Sequence, residues 1–381
     1  MSKKLFSILR YTSIVALVAS LFIISGCSDD KEPAPTLTIS ETLASDAYKQ
    51  SATVTAEVAL DSTNKYLNLY PELQALMTGT TPYTLFAPSN AAFVALTAIP
   101  GLSNIKAVNP DIIKGVLLYH FVAEQKFKAD LVSGVSLNSL YTDAATSAVQ
   151  VIVVNTDGTL KTGSSNPSIA ITKENVKATN GVVHVTGTVL IPPTVGAVLV
   201  PILGTMAATV LLGKDFSYVA SLVSKADAGF AEGATLETKK ISTLLALPTS
   251  ANPNGATFFA VPNAVITAAA GSAGVAAFLG TFDATKARGF LLNHYVLGKY
   301  VVTASTGSTA FSNGLSLTPI SGKKITVIAG PVNPATNPNG FYVTNKDVAI
   351  TAAYAPIFVK DLSSSAGISN GVIQVIGGLL N

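Results

Sequence analysis

Apolar residues recur at helical spacing in two separate segments of the chain. In the segment 109–121, NPDIIKGVLLYHF, Asn109 can cap a helix, and apolar residues then follow at every third or fourth position. The segment 287–294 repeats this spacing. We therefore predict one amphipathic helix in each half of the chain, with His120 and His294 at the ends of the two apolar stripes.

Short apolar runs follow each predicted helix and indicate strands. Two such runs flank an Asp-Gly turn at 157–158, within AVQVIVVNTDGTLKT. The second half contains the runs KKITVIAG, GFYVTN and PIFVKD, and its proline- and asparagine-rich stretch 330–340 is typical of a loop. Helices followed by strands in each half predict an α+β fold.

An uncharged stretch, YTLFAPSNAAF at residues 83–93, predicts a corner between a strand and a helix. We expect Thr84–Ala87 to form an edge strand that Pro88 ends, because proline cannot donate to the ladder. Ser89 or Asn90 should then cap the following helix. The sequence FFAVPNAVI, around Phe258, is a divergent copy of this stretch.

Three phrases occur twice and in the same order. They are TLFAPSNAA with FFAVPNAV, VLLYHFVAEQKF with FLLNHYVLGKY, and NGVVHVTGTVL with NGVIQVIGGLL. The second copy is longer by roughly 16 residues, late in its course. Each copy has the length of a single domain, so we predict a duplicated domain, with boundaries at 38–193 and 194–381.

The first residues predict an export signal. Lys3, Lys4 and Arg10 accompany a short apolar run that ends in ISGC, so residues 1–26 have the pattern of a lipoprotein signal peptide. Cys27 is the only cysteine, and its setting is similar to a bacterial lipobox. We predict that acylated Cys27 anchors the chain in a lipid bilayer, with 27–37 as lipidated cysteine and tether.

The acidic pair after Cys27, at residues 29–30, is similar to the export signal of surface lipoproteins in Bacteroidetes. This similarity predicts a lipoprotein of the cell envelope, in the outer membrane. The face of that membrane on which the protein lies is left open.

Composition fits export and argues against a nucleic-acid partner. Of 381 residues, 49% are hydrophobic and only 12% are charged, against about 25% in typical soluble proteins. The chain has 24 basic and 21 acidic residues, and the signal peptide carries the whole excess of +3. The mature chain is therefore neutral and lacks the excess of basic residues that is typical of nucleic-acid-binding proteins.

A run without charges at residues 195–213 has two interpretations. It is long enough to suggest a membrane span. Its proline and glycines, and its position at the start of the second copy, favour a buried helix that opens a domain.

Recognised catalytic and metal-binding patterns do not occur in the sequence. It has no Gly-x-Ser-x-Gly elbow, no His-Glu-x-x-His pair, no cysteine cluster and no EF-hand loop. His120 lies on an apolar stripe, and His184 has Gln374 as its counterpart, which cannot act as a base near neutral pH. We expect structural histidines, no enzyme activity, no cofactor and no metal. A pair of distant carboxylates, as in glycosidases, stays open as an alternative.

The three repeated phrases resemble the motifs of the fasciclin domain family. The first family motif is matched by Thr84, Phe86, Ala87, Pro88, Ser89, Asn90, Ala92 and Phe93. The middle pair is matched by Tyr119 and His120, and the last motif by Asn180, Gly181, Val182, Val183, His184 and Val185, with Asn370 and Gly371 in the second copy. The resemblance implies two tandem fasciclin-like domains, each a β-sandwich or wedge with several packed helices.

The resemblance also implies a function and a set of residues. It implies a non-enzymatic adhesion module, or a module that binds matrix or another polymer, with an unknown surface protein or polysaccharide as partner. Family members from animals imply partner-binding residues around the Tyr-His pair, here Leu117, Leu118, Tyr119, His120 and His294. The second copy departs from the pattern at Asn293, in place of Tyr119, and at Gln374, in place of His184. An accessory glycan-binding lipoprotein of a nutrient-uptake system is the alternative function.

Overall fold

A computed structural model describes the chain at residues 34–144, 146–163, 167–303, 305, 307–335, 337–345, 355–362 and 368–380. Residues Leu37–Asn381 form one compact unit. The predicted signal peptide, Cys27 and the acidic pair lie outside the described residues.

The first half begins with helices and continues with strands. Its helices are α1 Ile39–Ala44, α2 Asp61–Leu67, α3 Pro71–Thr78, α4 Asn90–Thr97 and α5 Pro110–Tyr119. Its strands are β1 Tyr83–Pro88, β2 Phe121–Val122, β3 Ser136–Thr142, β4 Val149–Val154, β5 Leu160–Lys161, β6 Ile171–Ala178 and β7 Gly181–Thr186.

The second half repeats this order. Its helices are α6 Pro193–Leu199, α7 Met206–Leu212, α8 Ser217–Asp227, α9 Ile241–Ala246, α10 Asn263–Ala270, α11 Gly274–Gly280 and α12 Ala284–Leu292. Its strands are β8 Ala256–Ala260, β9 Tyr295–Leu297, β10 Tyr300–Val301, β11 Thr309–Ala310, β12 Ser316–Leu317, β13 Ile325–Ala329, β14 Phe341–Thr344, β15 Ala355–Leu362 and β16 Gly371–Ile376. The α+β class predicted from the sequence is confirmed.

The two halves contain the same barrel-like sheet, opened at different seams. The strand order is β5-β4-β3-β2-β1-β7-β6 in the first sheet and β12-β13-β14-β15-β16-β8-β9 in the second. The short ribbon β10-β11 is separate. When each sheet is treated as a closed ring, the remaining strands of the second half follow the same order as β1 to β7. Single bridges, Leu160↔Ile169 and Val296↔Pro319, lie at the two open seams. Each half therefore contains one barrel-like sheet of seven strands with helices packed around it.

Strand β1 lies in the centre of its sheet. It pairs antiparallel with β2 and parallel with β7, from Tyr83↔Gly181 to Pro88↔Thr186. The expectation of an edge strand was therefore wrong. Pro88 fits a central strand because it is the last residue of that strand, just before the chain turns into α4.

The uncharged run at 195–213 folds as part of the second core. It is divided between α6 and α7, and α7 buries Met206 and Val210 completely. The interpretation as a buried helix that opens the second half holds for α7, whereas Val198 and Val200 in the first part of the run are exposed. Within the described residues, the helical stretch Asn263–Gly280 has the length and composition of a membrane span, with a mean hydropathy of 1.4, and 11% of it is buried.

The two halves share part of their core. Leu102 and Val108 of the first half pack in the same hydrophobic cluster as α7 of the second half. The Asn109 backbone N–H also donates to the Leu212 carbonyl, at 2.6 Å. Because these residues pack continuously, the predicted boundary between 193 and 194 stays a prediction.

Candidate functional site

Two side chains of the first motif fasten the corner between β1 and α4. The Thr84 hydroxyl oxygen accepts the backbone N–H of Lys126 at 2.8 Å, which joins β1 to the chain beyond β2. Asn90 Oδ1 accepts the backbone N–H of Ser62, at 2.9 Å, and so ties α4 to α2. Each of these side chains satisfies a backbone group that the turn leaves unpaired.

The second half uses the equivalent side chains in the same way. The Thr257 hydroxyl oxygen accepts the Tyr300 N–H at 2.8 Å. Asn263 Oδ1 accepts the Tyr218 N–H at 3.0 Å. In the second copy the proline stands one position later than Pro88, at Pro262. The hydrogen bonds of the corner are nevertheless intact.

The remaining side chains of the corner cap α4 and fill the core beneath it. Ser89 Oγ accepts the Ala92 N–H at 3.2 Å, which caps α4. Phe86 is fully buried, and its ring stacks on the imidazole of His184 with the ring centres 5.6 Å apart. The corner is therefore a packed junction with little accessible surface.

Asn180 joins three segments at the start of β7. Its Oδ1 accepts the Ile39 N–H at 2.8 Å. Its Nδ2 donates to the carbonyls of Met77, at 2.9 Å, and Gly79, at 2.8 Å. Asn180 thus holds α1 and the end of α3 against the sheet, which explains an amide rather than a carboxylate at this position.

Asn370 repeats this arrangement at the start of β16. Its Oδ1 accepts the Met206 N–H at 2.9 Å, and its Nδ2 donates to the Leu245 and Leu247 carbonyls, each at 2.9 Å. The glycine that follows each asparagine is needed for close backbone approach. A Cβ on Gly181 would collide with the carbonyl oxygen of β1, and one on Gly371 with the equivalent carbonyl of β8.

His120 uses both ring nitrogens in hydrogen bonds to the backbone. Nε2 lies 3.0 Å from the Leu190 N–H and accepts from it. Nδ1 must then carry the hydrogen, which it donates to the Val116 carbonyl at 2.7 Å. This histidine therefore joins the end of α5 to the segment that follows β7.

His294 has the same two hydrogen bonds in the second half. Its Nδ1 donates to the Phe290 carbonyl at 2.8 Å, and its Nε2 accepts the Leu380 N–H at 3.3 Å. Burial lowers the pKa of both histidines to about 4. Both rings are therefore neutral near pH 7.

His184 is also bonded to the backbone, through the opposite tautomer. Its Nδ1 accepts the Asn175 N–H at 3.3 Å, and its Nε2 donates to the Lys126 carbonyl at 2.9 Å. Burial lowers its pKa as well. Asn175 has φ of 57° and lies at an irregularity of β6, so His184 fastens a strained strand to the loop after β2.

Gln374 takes over this role in the second half. Its Oε1 accepts the Asp361 N–H at 3.1 Å, and its Nε2 donates to the Tyr300 carbonyl at 2.9 Å. Asp361 matches Asn175 in having a positive φ, of 54°. The exchange of histidine for glutamine therefore preserves a donor and an acceptor at the same place.

The family model described as Fasciclin domain matches residues 59–192. These residues form a fasciclin domain. The second half repeats the strand order and the asparagine and histidine contacts of this fasciclin domain.

Two further comparisons place the chain beside known proteins. It is 35% identical over 112 residues to Protein sll1483 from Synechocystis sp. (strain ATCC 27184 / PCC 6803 / Kazusa), which covers 29% of this chain and 56% of that relative. A solved structure of a FAS1 domain pair from the insect cell adhesion molecule fasciclin I is 14% identical, with a TM-score of 0.30. That match covers 84% of this chain and 96% of the insect chain.

The residues assigned to partner binding fall in two places. Leu117, Leu118, Tyr119 and His120 lie together at the end of α5 in the fasciclin domain, whereas His294 follows α12 in the second half. Among them Leu118 is half-buried and the others are buried. The Tyr119 hydroxyl donates to the Val151 carbonyl at 2.6 Å. The assignment of these five residues to partner binding stays a prediction.

Sequence reasoning missed a group of polar residues in the second half. Lys286, Asn293, Ser321 and Lys323 line an open cleft of about 650 Å³. The exchange of Tyr119 for Asn293 was visible in the repeat and was a signal of this cleft. The other wall is formed by a turn far along the chain, which the repeated phrases do not include.

Metal binding finds no support in the part of the chain that the structure describes. There, no group of three or more His, Cys, Asp or Glu side chains could hold an ion. Cys27, the predicted lipidation site, lies outside those residues.

Proposed function

We propose that this protein is a non-enzymatic lipoprotein of the cell envelope whose two domains bind a surface protein or a polymer outside the cell. Members of the fasciclin domain family are typically adhesion-related modules, and residues 59–192 match that family. The proposal assigns the chain to adhesion or to attachment to matrix.

One observation carries this proposal. The side chains best suited to proton transfer, His120, His184 and His294, each have both ring nitrogens bonded to the backbone. They are also buried, with lowered pKa values. A buried neutral imidazole with both nitrogens occupied cannot exchange protons with a substrate, so these histidines support a scaffold that presents a binding surface.

Attachment can be tested with cells that display the full chain. Such cells should adhere to some members of a panel of matrix proteins, polysaccharides and partner cells, and cells without the protein should not. A variant with Asn180→Ala and Asn370→Ala, which loosens both domains, should lose adhesion while the protein is still exported. Equal attachment with and without the protein across the panel would contradict the proposal.

Anchoring through Cys27 has a separate test. Labelled palmitate should enter the wild-type protein and the control variant Ser28→Ala, because only the cysteine can take the acyl chain. It should not enter Cys27→Ala. Equal labelling of the cysteine variant would refute the lipoprotein assignment and leave the binding assignment open to its own test.

A role as an accessory glycan-binding lipoprotein is the second candidate. The polar cleft of the second half favours it, because the cleft combines lysine, amide and hydroxyl groups at one accessible place. An array of glycans probed with the full chain distinguishes the two. Binding to one polysaccharide without an adhesion phenotype would support the second candidate.

A further inference from the structure

The cleft of the second half lies between α12 and the turn that joins β12 to β13. Its volume of about 650 Å³ is within the range of sites for small ligands. Lys286 and Asn293 belong to the helix wall, and Ser321 and Lys323 belong to the turn. Phe282 and Phe290 also line it.

The first half fills the same junction with two tyrosines. Tyr119 is fully buried there at the end of α5. Tyr141 at the end of β3 lies so close to α5 that a Cβ added to Gly115 would meet its ring at 2.8 Å. The strand pair Leu137↔Ile152 of the first half is equivalent to Leu317↔Ile325 of the second. Residues near these pairs can therefore be matched between the two halves.

By this match, Ser321 stands where the first half has Tyr141, and Asn293 stands where it has Tyr119. Gly289 corresponds to Gly115, but a Cβ added to Gly289 would have nothing within 4 Å. The two large rings that fill this junction in the first half are missing in the second, which leaves room for the cleft.

The two replacing residues leave polar atoms for a ligand. Asn293 is 4% exposed, and its Nδ2 donates to the Leu380 carbonyl at 3.4 Å, a long and weak hydrogen bond. Its Oδ1 has no partner among the described residues. Ser321 Oγ accepts the Lys323 N–H at 3.3 Å, and its hydroxyl hydrogen can still be donated. Because Asn293 Oδ1 is not enclosed, it is open to a ligand that enters the cleft.

Each wall also contributes a positive charge. Lys286 and Lys323 are exposed, and within the described residues neither ammonium group forms an ion pair. The corresponding residues of the first half are Ile112 and Gln150, which are uncharged. The nearby carboxylate of Asp283 caps α12 by accepting the Lys286 backbone N–H at 2.8 Å. The lysines therefore present positive charge to whatever enters the cleft.

An aromatic surface completes the cleft. Phe282 and Phe290 meet edge to face with ring centres 5.5 Å apart, and Phe282 is partly exposed. The exposed face of such a ring packs well against the apolar C–H face of a sugar. Amide and hydroxyl groups match sugar hydroxyls, and ammonium groups match carboxylates.

We infer that this cleft binds carboxylated sugar units of an acidic polysaccharide, which rests on the proposed function as a polymer-binding module. A nucleic acid fits less well, because the chain has no basic surplus once the signal peptide is excluded. The cleft would give the second domain a ligand that the first domain, with its tyrosines in place, cannot accept.

The test measures binding of a fluorescent oligogalacturonate to the purified full chain in a neutral detergent. The wild type should bind it, and a neutral galactose oligomer of equal length should bind at least tenfold more weakly. Lys286→Gln with Lys323→Gln should weaken binding of the acidic oligomer about tenfold or more. The matched control Lys324→Gln, beside the cleft, should leave it within about twofold.

A second variant tests the shape of the cleft independently of charge. Asn293→Tyr with Ser321→Tyr restores the residues of the first half and should abolish binding without changing net charge. Circular dichroism checks that each variant is folded, and if this variant is not, the lysine variants decide alone.

Four results would overturn the inference. They are no binding by the wild type, unchanged binding by the lysine variants, equal binding of the neutral oligomer, and equal binding of a DNA oligomer of the same charge. The proposed function fails separately. If displayed protein still adheres to other members of the panel, the polymer-binding assignment stands and only the cleft is refuted.

Discussion

Acid should destabilise this protein through the buried histidines that end α5 and α12. His120 is 1% exposed, and its Nε2 already accepts a backbone N–H. A second proton, on Nε2, would have no acceptor. The hydrogen bond from the Leu190 N–H would become a repulsion between two N–H groups. Lowering the pH from 7 to 4 therefore disrupts one defined hydrogen bond in each half, the one that the histidine Nε2 accepts.

The size of the effect follows from the pKa. Burial lowers the pKa of His120 from 6.5 to about 4. Between pH 6.5 and about 4 the imidazole is protonated in the unfolded chain but neutral in the native one. The free energy of unfolding therefore falls as the pH falls. At 1.36 kcal/mol per pH unit, the loss reaches about 3 kcal/mol near pH 4 and is absent above about pH 7. His294 adds a similar loss in the second half.

Urea unfolding at several pH values measures this loss. His120→Leu should be less stable at pH 7 by about 1 to 3 kcal/mol, because the Leu190 N–H loses its acceptor. Between pH 6.5 and 4, however, its stability should fall by about 3 kcal/mol less than that of the wild type. The same pH dependence in both proteins would refute the reasoning, as would an NMR titration of His120 near pH 6.5.

Four other substitutions have expected outcomes that thermal or urea unfolding can check. Gly289→Ala should stabilise the chain by about 0.5 to 1 kcal/mol through helix propensity, whereas Gly115→Ala should destabilise it because its Cβ meets a tyrosine ring; equal effects would contradict this. Asn180→Ala should cost about 2 to 4 kcal/mol, since it leaves three backbone groups unpaired, and a neutral result would show that they find other partners. His184→Gln should cost under about 1 kcal/mol, because the second half has glutamine at this position; a larger loss would mean that the ring stacking matters more than the hydrogen bonds.

Local features of the fold could be predicted from the sequence because short-range chemistry determines them. The cap at Asn109, the proline that follows it and the apolar spacing define α5 within a dozen residues. The loop at 330–340 lies between β13 and β14, as its prolines and asparagines indicated. The three repeated phrases identify two copies of one fold before any contact is known.

Features that depend on distant segments could not be predicted in this way. Nothing within residues 83–88 indicates that β2 and β7 return to both sides of β1, since both arrive later in the chain. The cleft could not be predicted for the same reason. It depends on two tyrosine positions, 119 and 141, that meet only when β3 packs against α5, and a single repeated phrase shows only one of them.

The position of β7 also determines how the first domain would carry tension. The chain enters beside the start of this strand, where the Thr179 N–H donates to the Leu37 carbonyl at 2.8 Å, and it leaves just beyond Thr186 at the other end. A pull along the chain would therefore run along β7 and load its hydrogen bonds to β1 and β6 in shear. Bonds loaded this way resist together instead of opening one after another. The second domain has the same arrangement, because Ser369 N–H donates to the Gly204 carbonyl at 2.8 Å beside β16. Each domain is thus built to stay folded when its two ends are pulled apart.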